Sequence, residues 1–254
     1  VAARPGQRGL WEMCPDPDGL ISLPASPRDL VPAVKRLRAS GFTHAVILPN
    51  SFRAALAPAL ARIPHRRGTA DQAGRGLLIN DPVDISALRN RHQQWENAAL
   101  LLPRMELDTL PPPRLTPPES DRARARAGLA ELPAPRLGLI PGAARGPSKQ
   151  WPADRFTAVA ARWTAETGGG ICWLGTPDDR ALCESCRETV GGLNWAGRTS
   201  LPGFAAALEA LDAVVANDSG GMHLAAAVDT PVVAVFGITD PAKTGPLHPR
   251  ARVV

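Results

Sequence analysis

The chain has 254 residues, with 44% hydrophobic and 21% charged, which is ordinary globular composition with enough apolar mass for a sizeable core. Its formal net charge is +5 with a pI near 9.6, a balance that suits an anionic partner. The absence of Tyr, with only 5 Phe, argues against a base-stacking platform for single strands and against nucleic acid as partner. No run of about 18 apolar residues occurs, which excludes a membrane-spanning helix. The start, VAARPGQRGLW, has no apolar signal core and no initiating Met, so the reading is of a cytoplasmic protein and an internal fragment.

In chain order, DLVPAVKRLRASGF (29–42) predicts a helix ended by Gly41, and THAVILPNS (43–51) a short strand with a polar end. FRAALAPALARI (52–63) predicts a helix kinked or shortened by Pro58. The following IPHRRG (63–68) holds part of the first half's basic excess: residues 1–120 carry 15 Lys+Arg against 11 Asp+Glu, and 121–254 carry 14 against 13. Neighbouring arginines like these are most often a solvated face. RNRHQQWENAALLL (89–102) reads as an amphipathic helix. The stretch 103–118 is proline-dense without helical or strand period, and reads as a linker, with a domain boundary near 120.

Beyond it the alternation sharpens. RLGLIPG (136–142), GGGICWLGT (168–176), LNWAG (193–197), DAVVAND (212–218) and TPVVAVFG (230–237) read as strands. The segments at 151–166, 176–190, 200–211 and 221–228 read as helices. Apolar strands spaced by helices imply a parallel sheet covered on both faces, hence a doubly wound domain. Cys183 and Cys186, spaced C-x-x-C on one helix, are half a metal site at best and equally what a packed helical face gives.

In a doubly wound sheet, ligands bind beyond the carboxyl ends of the strands. There NDSGGMH places Asp218, Ser219, Gly220 and Gly221 at the turn into a helix, with His223 in its first turn. Unpaired N–H groups and the helix dipole make this a cradle for a phosphate. Taken alone it reads first as a plain helix cap with His223 satisfied in the core. Two further polar loops leave strands at the same edge: PGAARGPSKQWP (141–152), with Lys149 suited to a diphosphate, and GITDP (237–241). No G-x-G-x-x-G, no P-loop and no G-x-S-x-G nucleophile elbow occurs.

On ILPNSFRAAL with IPHRRG, then IPGAARGPSKQWPADRF, then LNWAGRTSLPGFAAALEALDAVVANDSGGMHLAAAVDTPVVAVFGITDP, the chain resembles the ADP-heptose:lipopolysaccharide heptosyltransferases, glycosyltransferase family 9, and within them the heptosyltransferase II branch. The resemblance implies a GT-B fold of two Rossmann-like doubly wound domains: residues 1–120, an incomplete acceptor-side domain with a Pro-rich linker at about 103–120, and residues 121–254, a donor domain with an incomplete C-terminus. It implies inverting, metal-independent transfer of L-glycero-D-manno-heptose to the phosphorylated lipopolysaccharide core, without cofactor, at or near the inner membrane surface. It would place Lys149 on the donor phosphates and Asp218 on the heptose hydroxyls. Ser219, Gly220, Gly221 and His223 would line the diphosphate, Thr199 and Ser200 the nucleotide, and Arg53 the acceptor. The family's Gly-Asp motif, whose Asp is the expected base, has no match in VAARPGQRGLWEMCPDPDG, and GGM replaces Gly-Pro-Met. A transferase with another nucleotide sugar or acceptor, or a catalytically silent sugar-nucleotide binder, would carry the same donor block.

Overall fold

The computed structural model describes residues 1–23, 26–102, 110–143 and 146–254. Two compact units result: Val1–Trp11 with Asp16–Pro111, and Glu12–Pro15 with Pro112–Val254. The division falls at Pro111/Pro112, inside the proline-dense stretch and ahead of the boundary read near 120. Most of that stretch's first half, 103–109, lies outside the described residues.

The first unit contains β1 (Ala2–Ala3), α1 (Arg8–Glu12, whose last residue groups with the second unit), β2 (Ile21–Ser22), α2 (Leu30–Ala39), β3 (His44–Ile47), α3 (Phe52–Leu60), β4 (His65–Gly68), β5 (Asp81–Pro82) and α4 (Gln93–Leu101). β1 pairs with β2, and β3, β4 and β5 form a second sheet in that order; all pairings are parallel. α2 stops before Gly41, whose φ of +66° only glycine adopts freely. α3 contains Pro58 and ends two residues later. Leu37, Ala57, Ala61 and Ile63 make one small core, and Ile47, Ala55 and Ile79 another. The segment HRRG, which as a sequence shows only a basic patch, is the central strand β4.

The second unit contains α5 (Glu119–Leu129), β6 (Leu137–Ile140), α6 (Ala153–Thr167), β7 (Ile171–Trp173), α7 (Arg180–Val190), β8 (Leu193–Asn194), α8 (Leu201–Glu209), β9 (Ala213–Asn217), α9 (Gly220–Ala227), β10 (Val232–Val235), α10 (Pro241–Thr244) and β11 (Arg252–Val253). Its sheet is parallel throughout, with strand order β11-β10-β9-β6-β7-β8. α6 packs on α7, while α8 packs on both α5 and α9. The helix α5 is absent from the sequence-based expectation; its stretch, ESDRARARAGL, is charged and shows little helical periodicity.

The core of this unit is built from Leu137, Leu139, Phe156, Ile171, Trp173, Cys183 and Cys186. Leu139 and Phe156 are 0% exposed, and each burial contributes roughly 1.5–3 kcal/mol. Cys183 and Cys186 are therefore packing residues on the inner face of α7. Burial pushes the Cys183 thiol up to about 12 and raises those of Cys172 and Cys186 as well, so these thiols stay protonated and unreactive. Among the described residues, no group of three or more His, Cys, Asp or Glu could hold a metal ion.

The strand order fixes where a ligand can sit. The chain starts in the middle of the sheet with β6 and steps outward through β7 and β8. It then returns to β9 on the other side of β6 and steps outward again through β10 and β11. The reversal point lies between β6 and β9, where the two outgoing loops diverge and leave a crevice.

Candidate functional site

The loops leaving β6 and β9 hold Lys149 and Asp218, which are far apart in sequence. The structure joins them: Lys149 Nζ is bonded to Asp218 Oδ2. The same oxygen accepts from Thr239 Oγ1 at 2.6 Å, and Thr239 belongs to the loop after β10. Gly237 of that loop also approaches the carbonyl of Ser148. Three polar loops at the carboxyl edge thus meet at one carboxylate. The pair is well enclosed, with side-chain exposures of 14% for Lys149 and 8% for Asp218. Burial by itself pushes the Asp218 carboxyl up. The bonds from Lys149 and Thr239 and the charges of Lys149 and His223 outweigh it, and the net direction is below the ordinary value.

Asn217, the last residue of β9, builds the frame. Its side chain is buried, accepts from the Trp151 N–H at 2.9 Å and donates to the Pro141 carbonyl at 2.7 Å. One amide therefore ties down both ends of the loop that carries Lys149. Neither Asn217 nor Thr239 is among the site residues expected from sequence. The available signal was position alone: a polar residue directly before Asp218 at a buried strand end, and a hydroxyl in a loop at the same sheet edge.

Ser219 is the N-cap of α9, in extended conformation, and its side chain makes no capping bond. Its Oγ is buried and, among the described residues, has no hydrogen-bond partner. A cap hydroxyl ordinarily accepts from the first helical turn; here it is left without that bond at the start of α9. The two glycines behind it differ. A Cβ on Gly221 would lie 2.6 Å from Ile140 Cδ1, so a side chain there requires Ile140 to shift where α9 packs on β6. A Cβ on Gly220 would meet nothing within 4 Å, so Gly220 faces open space. Of the two, only Gly220 has open space where a side chain would stand. His223 is exposed in the first turn of α9 rather than sunk in the core, and its charge is felt by Asp218.

Thr199 and Ser200 lie in the turn between β8 and α8. Ser200 caps α8 by accepting from the Gly203 N–H at 3.2 Å. Both line a cavity of about 240 Å³ with Asp121, Gly128, Trp195 and Arg198. No hydrogen bond links this group to the Lys149–Asp218 pair among the described residues.

In the first unit, Arg53 is exposed in the first turn of α3, whose N-cap Ser51 accepts from the Ala54 N–H at 3.3 Å. Its neighbours in the basic stretch are not available in the same way. Arg66 donates to the carbonyls of Leu78 at 2.7 Å and Ile63. Arg67 donates to the Leu100 carbonyl at 3.0 Å and to Asp81 at 2.6 Å. Arg75 is 0% exposed and donates to the carbonyls of Thr69, Ser51 and Ile47. Burial lowers its pKa, opposed by the charge of Asp71. The arginines of IPHRRG are therefore neither a solvated face nor a free anion site; they bind the unit's own backbone and Asp81.

A family model described as glycosyltransferase family 9 (heptosyltransferase) matches residues 32–254. Lipooligosaccharide heptosyltransferase 2 of Haemophilus ducreyi is 34% identical over 227 residues, covering 83% of this chain and 65% of that protein. Lipopolysaccharide heptosyltransferase 2 of Escherichia coli K12 is 34% identical over 236 residues, covering 86% and 66%. The chain thus spans just under two thirds of the length of these curated relatives. The structure of E. coli ADP-heptose lps heptosyltransferase II superposes with a TM-score of 0.84 at 29% identity, over 100% of this chain and 80% of that one. A glycosyl transferase family 9 structure from Veillonella parvula superposes with a TM-score of 0.88 at 20% identity, over 100% and 75%, which is a likeness of fold.

Proposed function

Because the chain belongs to glycosyltransferase family 9, we propose that it carries the donor half of an inverting, metal-independent heptosyl transfer from ADP-heptose to the phosphorylated core of lipopolysaccharide. The observation that supports this reading best is the Lys149–Asp218 pair at the reversal point of the second unit's sheet. It lies beside the partnerless Ser219 hydroxyl and the start of α9. A cation, a hydroxyl and a helix N-terminus in one crevice match the needs of a departing diphosphate, which leaves with negative charge to be stabilised.

In this reading Lys149 moves from Asp218 to the donor phosphates, and Ser219, Gly220, Gly221 and His223 line the diphosphate. Of the two glycines, Gly220 offers its backbone and Gly221 seats the helix. Asp218, released from Lys149, accepts from heptose hydroxyls. Thr199, Ser200 and their cavity take the nucleoside end, and Arg53 takes the phosphorylated acceptor. Deprotonation of the acceptor hydroxyl requires a base; the Gly-Asp motif that would supply it has no match in VAARPGQRGLWEMCPDPDG, and donor binding is the part of the reaction that the residues named above serve. No helix among the described residues is long and apolar enough to cross a membrane, which fits peripheral work at the inner membrane surface from the cytoplasm.

The test is calorimetric titration of ADP, UDP and GDP into the chain, with Lys149→Ala and Asp218→Ala alongside. ADP is expected to bind best, and loss of the charge-assisted contact in Lys149→Ala to weaken it about tenfold. Asp218→Ala should leave ADP nearly unaffected and weaken ADP-heptose. Preference for UDP or GDP would remove the heptose donor, and absence of any nucleotide binding to the folded chain would remove the donor site.

A further inference from the structure

Asp218 Oδ2 accepts from two donors of different kinds. Lys149 is a charged group at the end of a long stem. Thr239 is a neutral hydroxyl on a short, β-branched side chain with restricted χ1 freedom. Donor binding requires Lys149 to serve the diphosphate, and whatever charge it gives to phosphate it withdraws from Asp218. A carboxylate enclosed to 8% exposure cannot lose its main partner without compensation. Thr239 can stay in place when Lys149 leaves, because among the described residues its hydroxyl donates to Asp218 alone.

We propose that Thr239 is a positioning residue of the donor site, which holds Asp218 by Oδ2 while Lys149 turns to the diphosphate and leaves Oδ1 to the sugar hydroxyls. The inference rests on the donor reading and adds a residue to it from the third loop. It makes a specific division: Thr239 touches neither phosphate nor sugar, so it affects the sugar part of the affinity and not the nucleotide part.

Calorimetry with ADP and ADP-heptose on the 254-residue chain separates the two parts, using T239V, which keeps the shape and removes the donor, and T239S, which restores it. The wild type is expected to bind ADP-heptose more tightly than ADP. T239V should bind ADP within about twofold of wild type and ADP-heptose about tenfold more weakly, as loss of one bond to a charged acceptor implies; T239S should keep the wild-type increment. A pH series adds a readout that loop damage would not give. Asp218 is faced by Lys149 from the loop after β6, by His223 from α9 and by Thr239 from the loop after β10. Removing one donor to the carboxylate raises the pH at which it takes up a proton. The sugar increment that remains in T239V should therefore vanish at a higher pH than in wild type. Equal weakening of ADP and ADP-heptose, or an unchanged increment and pH profile in T239V, overturns the assignment while leaving the donor reading intact. A folded wild type that binds no ADP overturns the donor reading itself, and the role of Thr239 with it.

Discussion

The two units place their cations in opposite service. In the first, Arg66 and Arg75 are directed inward at backbone carbonyls, Arg75 fully buried with three of them, and Arg67 divides itself between the Leu100 carbonyl and Asp81. In the second, Lys149 meets a side-chain carboxylate at a sheet edge where three loops converge. Carbonyl acceptors are fixed in the chain and give an arginine no competing state, so such bonds hold a scaffold together. A lysine–aspartate pair can be exchanged for another anion and another donor, so it suits a site that must change partners. The same formal charge therefore holds the scaffold in one unit and, in the proposed reading, serves a ligand in the other, and sequence position alone does not tell them apart.

The contrast is open to several tests. The largest effect is expected from Arg75→Met, which takes a donor from the carbonyls of Ile47, Ser51 and Thr69, of which Ser51 keeps the Ala54 N–H. Losing the donor to the buried Ile47 and Thr69 carbonyls, with the packing of a buried side chain disturbed, costs about 3 kcal/mol. Hydrogen exchange should show residues 44–82 losing protection while 137–235 keep theirs; uniform loss, or none, would contradict a scaffold role confined to the first unit.

Lys149→Met comes next, at about 2 kcal/mol near neutral pH, because it strands a buried carboxylate. The sign follows from Asp218, whose carboxyl lies below its ordinary 3.8 in the folded chain. Its contribution is present above that value and is lost as pH falls through the depressed one. Denaturation curves of wild type and Lys149→Met should thus differ most at neutral pH and converge in acid; a gap independent of pH would point to packing instead.

The smallest effects separate the two glycines. Gly221→Ala should cost about 1–2 kcal/mol, since Ile140 must move to admit the methyl. Gly220→Ala should cost nothing and could gain up to about 1 kcal/mol as a helical Gly-to-Ala change, while weakening ADP by blocking the approach to the backbone. Thermal melts of both, with ADP titration of the second, give the answer; equal melting temperatures would refute the division of labour.

Much of the second unit is legible in the sequence because its signals are local. Apolar runs such as DAVVAND and TPVVAVFG, separated by helices, dictate a covered parallel sheet, and a doubly wound sheet puts polar loops at one edge. What the residues around Lys149 and Asp218 do not convey is that they neutralise each other, since pairing across loops is a property of strand order. Thr239 and Asn217 escape notice for the same reason: each acts on a residue distant in the chain. In the first unit the arginines mislead because a row of cations looks alike whether it points outward or at carbonyls. The helix α5 escapes for want of an apolar stripe. Met13, 2% exposed, joins the second unit through the bond from the Thr116 N–H to its carbonyl at 3.0 Å, a link no sequence pattern announces.

The amide of Asn217 has a thermodynamic consequence. By gripping Pro141 and Trp151 together, it turns the intervening segment into a closed ring. The configurational freedom that a tethered segment gives up on closing its ends is surrendered when the chain folds. A ligand arriving at this ring does not have to draw its ends together, and more of the contact energy is expressed as affinity.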